Sequence, residues 1–275
     1  MPTGTTPPSG QDRIAAAFAG AARDDRAALI VYLTAGYPDA ATSRACLRAA
    51  VDAGADIVEV GLPFSDPIMD GPVIQAANQV VLDAGIGLGE QLSIAHEALA
   101  GTEVPAVAMT YVTVADTRGY DRFAADCRAA GLDGAILPDL PVDESGRWRS
   151  AAAENGLATV FLASSVSSPA RLDAIAAASE GWIYAIGLLG VTGVKAVDDV
   201  PTRELVARLR QRTDTPVAVG IGVRDRATAH NVAGFADGVI VGSTLLRAVS
   251  SGPVDQAPQR VGALVTELRL GMQRS

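Results

Sequence analysis

The sequence predicts an α/β fold, a closed (β/α)8 TIM barrel with an extra N-terminal helix. Short apolar, β-branched runs alternate with segments of helical periodicity along the chain. The alternation gives eight strand–helix units in about 250 residues. No composition shift or linker divides them, so residues 11–275 read as a single barrel domain behind a disordered tail, 1–10. A doubly wound sheet also alternates, but eight units in this length fit closure better.

The elements follow in order. Gln11–Arg23 has Ile14 and Phe18 four apart on one helical face, which makes it the extra N-terminal helix. Leu29–Leu33 is a buried strand, and Thr42–Ala53 a helix closed by Gly54. Asp56–Val60 is the second strand, ended by Pro63, which cannot donate to a sheet ladder. Pro72–Leu82 and Gly89–Ala100 read as helices, and Val104–Val112 as the third strand. Tyr120–Ala130 is a helix, Gly134–Leu137 a strand, Asp143–Asn155 a helix and Thr159–Ala163 a strand. Pro169–Ala178 is a helix with proline at its start, and Trp182–Ile186 a strand before a long loop. Thr202–Gln211 (helix), Val217–Val219 (strand), Asp225–Ala233 (helix) and Gly238–Val241 (strand) complete the alternation, with helices to the end.

Composition narrows the function. With 31 acidic against 22 basic residues and a net charge of -9, the chain lacks the concentrated positive charge that nucleic acid or an anionic membrane surface requires. No apolar run reaches membrane-spanning length; Gly181–Val194 is short and broken by glycine. The first ten residues have no basic start and no apolar core, unlike a signal peptide. Cys46 and Cys127 lack Cys-x-x-Cys spacing, so a secreted disulfide framework is not expected and the compartment reads as cytoplasmic. His96 and His230 are the only histidines and both fall in helical stretches, which leaves a Ser-His-Asp triad or a His-rich metal site unsupported; no metal site is expected. Gly85–Gly89 lacks dinucleotide-fingerprint spacing and does not follow a strand.

The chemistry concentrates around Glu59-Val60-Gly61-Leu62-Pro63-Phe64-Ser65-Asp66-Pro67-Ile68-Met69-Asp70-Gly71-Pro72. Glu59 sits inside a strand and Asp70 in the loop beyond its C-terminal end, where barrels place their active sites. Glu59 is either a polar residue in the barrel filling, satisfied by a neighbouring Tyr or Ser, or a desolvated carboxyl whose raised pKa lets it give and take a proton near neutrality. Asp70 is either a helix cap or the second of two carboxyls with different environments. After strands seven and eight, Val219-Gly220-Ile221-Gly222-Val223 and Val241-Gly242-Ser243-Thr244 place small residues where backbone N–H groups can approach an anion. Their glycines either make tight turns or build a phosphate site, as barrels often do there. Gly187–Lys195, holding the only lysine, is glycine-rich enough for a mobile lid, or is an ordinary connection.

The stretch Glu59–Gln75 resembles the signature of the tryptophan synthase α-subunit family, supported by Leu33-Thr34-Ala35-Gly36-Tyr37-Pro38, Pro138-Asp139-Leu140-Pro141 and Gly190-Val191-Thr192-Gly193. The resemblance runs from about Gln11 to the C-terminus. It implies cofactor-free, aldolase-type cleavage of indole-3-glycerol phosphate to indole and glyceraldehyde 3-phosphate, within tryptophan biosynthesis. Glu59 matches the catalytic glutamate and Asp70 the aspartate facing the indole N–H. Gly193, Gly222, Gly242 and Ser243 match phosphate-binding positions; Tyr111 and Tyr184 match pocket tyrosines, and Thr192 a lid threonine. Tyr32, Ile136 and Ile221 fall where apolar pocket walls are expected. The implied partner is a β subunit, in an α2β2 tetramer, with pyridoxal phosphate on that partner only. One departure is Gly187-Leu188, where many members carry Ser-Arg. A stand-alone lyase releasing free indole, or a catalytically silent paralogue acting as a binding or activating subunit, stay open as alternatives.

Overall fold

The computed structural model describes residues 8–187 and 200–274. Eight parallel strands close in sequence order: β1 Ala28–Thr34, β2 Ile57–Gly61, β3 Ala106–Met109, β4 Gly134–Ile136, β5 Ala158–Ser164, β6 Ile183–Ile186, β7 Val217–Gly220 and β8 Gly238–Val241. Around them run α1 Gly10–Arg23, α2 Ala40–Asp52, α3 Pro72–Asp83, α4 Leu88–Leu99, α5 Val112–Arg118, α6 Tyr120–Ala129, α7 Gly146–Glu154, α8 Pro169–Ala178, α9 Val200–Arg210, α10 Arg226–Ala233, α11 Ser243–Ser250 and α12 Ala257–Leu270.

Side chains alternate across each strand, so two cores form. Outward residues such as Leu29, Val31 and Val58 pack under the helices. Inward residues, among them Ile30, Ile57, Val107, Val160, Trp182 and Ile240, fill the barrel. Ile14 and Phe18 of α1 belong to that inner cluster, with the Phe18 ring 6.2 Å from Trp182. The N-terminal helix is therefore part of the barrel's filling. It starts one residue earlier than the periodicity predicts, because Ser9 and Asp12 form a reciprocal capping box.

At the N-terminal ends of the strands, one arrangement recurs. Asp56 accepts the Leu29 N–H at 2.8 Å, Asp133 the Ala106 N–H at 3.1 Å, and Asp237 the Val217 N–H at 3.0 Å. Each aspartate precedes an even-numbered strand, ties it to the odd strand before it, and faces arginine. Asp56 pairs with Arg26 at 2.6 Å and Arg269 at 2.7 Å, Asp133 with Arg13 at 3.1 Å, and Asp237 with Arg210 at 2.9 Å.

Two expectations are corrected. The predicted strand Val104–Val112 is only Ala106–Met109, and Val112 begins helix α5. The run is rich in strand formers, but Asp139, from the loop after β4, accepts the Val112 N–H at 2.8 Å and caps the helix from outside it. The predicted helix Asp143–Asn155 is a 3-10 turn, Val142–Glu144, followed by α7.

Candidate active site

Strand parity builds the site. Ile57 faces inward, so Glu59, two residues on, faces inward one layer nearer the C-terminal mouth. Tyr32 on β1 is in register with Glu59, and Tyr184 on β6 with Ala218. Glycine at 61 makes room for the first tyrosine, since a Cβ there would run into the Tyr32 hydroxyl. Tyr32, Glu59 and Tyr184 line a cavity of about 170 Å³ together with Met109, Val73, Val223, Ile240, Gly220, Gly222, Gly242 and Ser243.

Glu59 is 1% exposed, and its Oε1 has no hydrogen-bond partner among the described residues. The satisfied-filling alternative thus fails at that oxygen. Burial alone pushes the Glu59 carboxyl up to about 8. The Tyr32 and Tyr184 hydroxyls, raised by burial and further by the Glu59 and Asp70 charges, keep their protons throughout the physiological range.

Asp70 does not cap α3. The residue before that helix is Gly71, with no side-chain cap, and Pro72 opens it. Asp70 instead accepts from the Asn78 amide, 3.3 Å from Oδ2, and the nearby Tyr111 hydroxyl favours its ionised form. Burial raises its pKa to about 6 despite these two neighbours, which lower it. Tyr111 also accepts the Met69 N–H at 3.0 Å and stacks on Phe64 at 5.3 Å between ring centroids. It supports Asp70 and is not among the residues lining the cavity.

Two wall residues are elsewhere. Ile136 faces inward but is fully buried in the barrel filling, while Ile221 packs against the outer core beside Gly187. Neither lines the cavity. Gly222 has φ +74, a left-handed conformation that favours glycine. Gly242 has an ordinary φ of -119, and a Cβ there would lie 3.4 Å from the Tyr32 Cβ, an ordinary contact, so neither backbone angle nor crowding by the described residues demands glycine there. Thr192 and Gly193, with the rest of the predicted lid from Leu188 to Lys195, lie outside the described residues.

The sequence reading missed Met109, Val73, Asn78 and Arg247. Parity from the inward Val107 would have found Met109. For Asn78 the available signal was an amide on the apolar face of α3. Arg247 lines the cavity four residues beyond Ser243, on the same helical face.

A closed parallel barrel with a desolvated carboxyl and a glycine-lined end at its C-terminal mouth has the form of a (β/α)8-barrel enzyme. Comparison with known proteins gives the family. The profile of the tryptophan synthase alpha chain family matches residues 18–272. The tryptophan synthase alpha chain of Streptomyces coelicolor is 46% identical over 257 residues, 93% of this chain and 95% of that one. That of Mycobacterium avium is 43% identical over 270 residues, 98% of each. Among solved structures, Mycobacterium tuberculosis tryptophan synthase superposes with a TM-score of 0.88 at 42% identity, covering 95% of this chain and 98% of that one. Tryptophan synthase subunit alpha from Legionella pneumophila gives 0.87 at 30%, covering 96% and 99%. The chain belongs to the tryptophan synthase alpha chain family.

Proposed function

We propose that this cavity cleaves indole-3-glycerol phosphate to indole and glyceraldehyde 3-phosphate, with Glu59 and Asp70 as the reacting pair. The observation that carries this reading is the desolvated Glu59 carboxyl in the cavity wall, whose Oε1 has no hydrogen-bond partner among the described residues. Indole is a poor leaving group until its C3 is protonated. Glu59, with its pKa raised to about 8, holds that proton at neutral pH. Protonation at C3 puts positive charge on the indole ring, and ionised Asp70 accepts the ring N–H and stabilises that charge. The bond between C3 and the glycerol chain then breaks, its electron pair returning to the ring. The adjacent hydroxyl becomes the aldehyde as its proton passes to the Glu59 carboxylate. Met109 and Ile240 give the indole an apolar wall, and Gly222, Gly242 and Ser243 give the phosphate its backbone donors.

The partner in this reading is a β subunit carrying pyridoxal phosphate, in an α2β2 tetramer; this chain's own step is proton transfer by side chains. Phe64 supports a docking face on the loop after β2: it lines a groove of about 820 Å³ with Leu88, Leu92, His96 and Val114, and its ring stacks on Tyr111, whose hydroxyl favours the ionised form of Asp70. A cytoplasmic setting is supported by two buried, unpaired cysteines, Cys46 and Cys127. No helix among the described residues is long and apolar enough to cross a membrane.

The test is release of indole from indole-3-glycerol phosphate by the purified chain, with and without a β subunit. Cleavage that rises on titration with the β subunit is expected. No indole under either condition overturns the reading, and full activity indifferent to any β subunit replaces it with a stand-alone lyase.

A further inference from the structure

The proposed substrate ends in a phosphate dianion, yet the chain as a whole carries a net charge of -9. The glycine loops offer only the partial charges of backbone N–H groups and of the first turn of α11. A full positive charge near that end would change the balance, and one side chain can supply it. Arg247 lines the same cavity as Gly220, Gly222, Gly242 and Ser243, and no other arginine or lysine among the described residues does.

Its position follows from helix geometry. Arg247 lies four residues after Ser243 on α11, hence on the same face. Long helical side chains lean toward the helix N-terminus, which directs the exposed Arg247 side chain back toward the turn that begins at Gly242 and Ser243. No hydrogen bond or ion pair engages that side chain among the described residues, unlike most arginines on the outer face of this barrel. The cavity independently calls for a ligand, because the Glu59 carboxyl, 1% exposed, has an oxygen there without a partner.

Resting on the phosphate-ester reading above, we propose that Arg247 binds the substrate phosphate and selects the phosphorylated substrate over its unphosphorylated counterpart. Guanidinium suits this task, since its planar fork offers two parallel donors to a phosphate. The interaction holds substrate and transition state alike, because the phosphate is remote from the bond that breaks. Its loss therefore raises KM and leaves kcat nearly constant.

The experiment uses Arg247→Gln, Arg247→Glu and Arg247→Lys in the full chain. Calorimetry with glycerol 3-phosphate, inorganic phosphate and indole reads binding without turnover. Steady-state cleavage reads KM against kcat. Arg247→Gln should weaken both phosphate ligands by roughly 10- to 100-fold, as expected for a lost charge-assisted hydrogen bond. Indole affinity should stay within twofold. Arg247→Glu should lose more and Arg247→Lys less, and the gap from wild type should narrow at high salt as screening grows. Phosphate affinities within twofold of wild type in the Gln and Glu variants would overturn the assignment, as would equal losses for phosphate and indole. Failure of the wild-type chain to bind either phosphate ligand would overturn it as well. A wild-type chain that binds phosphate but releases no indole would leave Arg247's role standing on the binding data while removing the lyase reading.

Discussion

On the proposed mechanism, Glu59 must carry its proton and Asp70 must have lost its own. Burial sets Glu59 at about 8 and Asp70 at about 6, so kcat/KM should rise as pH climbs through about 6 and fall as pH passes about 8. Asn78 donates to ionised Asp70 at 3.3 Å, which favours the ion. Asn78→Ala removes that donor and should move the acidic limb upward by about half to one pH unit, leaving the alkaline limb in place. A pH–rate profile of both proteins checks this, and an acidic limb that stays put would detach Asn78 from Asp70. At this scale much of the site was legible. A carboxylate inside an apolar strand and a second one beyond its end stand out in sequence, as do the two glycine loops. What was hidden is the support. Asn78 reaches Asp70 from the second turn of α3, eight residues on, and Ile136 is buried in the barrel filling away from the cavity.

The elements show where local preference is decisive and where it is overridden. Helices with their own caps, such as α8 behind Ser168 and α10 behind Asp225, lie where the pattern puts them, with boundaries shifted by a residue or so. Helix α5 does not: the pattern ends a strand at Val112 and assigns nothing up to Tyr120, because the run into Val112 is rich in strand formers and the helix's cap, Asp139, is 27 residues away. That distant cap holds the N–H next to Tyr111, whose hydroxyl favours the ionised form of Asp70. Asp139→Ala should therefore cost about 1 kcal/mol of stability, the usual worth of a helix cap. It should also lower kcat more than a neutral surface change does. Urea unfolding and steady-state kinetics together check this, and an unchanged kcat would mean that Tyr111 keeps its place without the cap.

For the molecule as a whole, the two ends of the barrel do different work. The C-terminal mouth holds the unpaired carboxyl and the glycine loops, while the N-terminal end is fastened by aspartates paired to arginines. Asp56 joins Arg26, Arg269 and the Leu29 N–H, so it ties β1, β2 and α12 together. Asp56→Ala leaves Arg26, 5% exposed, without that partner and should destabilise the fold by about 3 kcal/mol. Its kcat at 25 °C should stay within about twofold, as the change lies at the far end from the cavity. Barrel closure and strand order were legible from alternation alone. These fastenings were not, since the short Ala-Asp and Leu-Asp steps before the even strands acquire meaning only when the preceding strand lies alongside.

The central claim, that Glu59 moves the proton, is tested most directly by indole release from indole-3-glycerol phosphate by Glu59→Gln beside wild type, with substrate binding measured on both. Stability provides the check on folding. The unfolded-state carboxyl ionises near 4.5 while the folded one holds its proton to about 8, so ionisation destabilises the native wild type as pH rises across that window. Glu59→Gln escapes this cost and should be more stable than wild type above about pH 8, on the order of 2–4 kcal/mol. The predicted result is a folded variant that binds substrate within a few-fold of wild type and releases indole at least ~10²-fold more slowly. A folded Glu59→Gln variant with near-wild-type turnover would contradict the account.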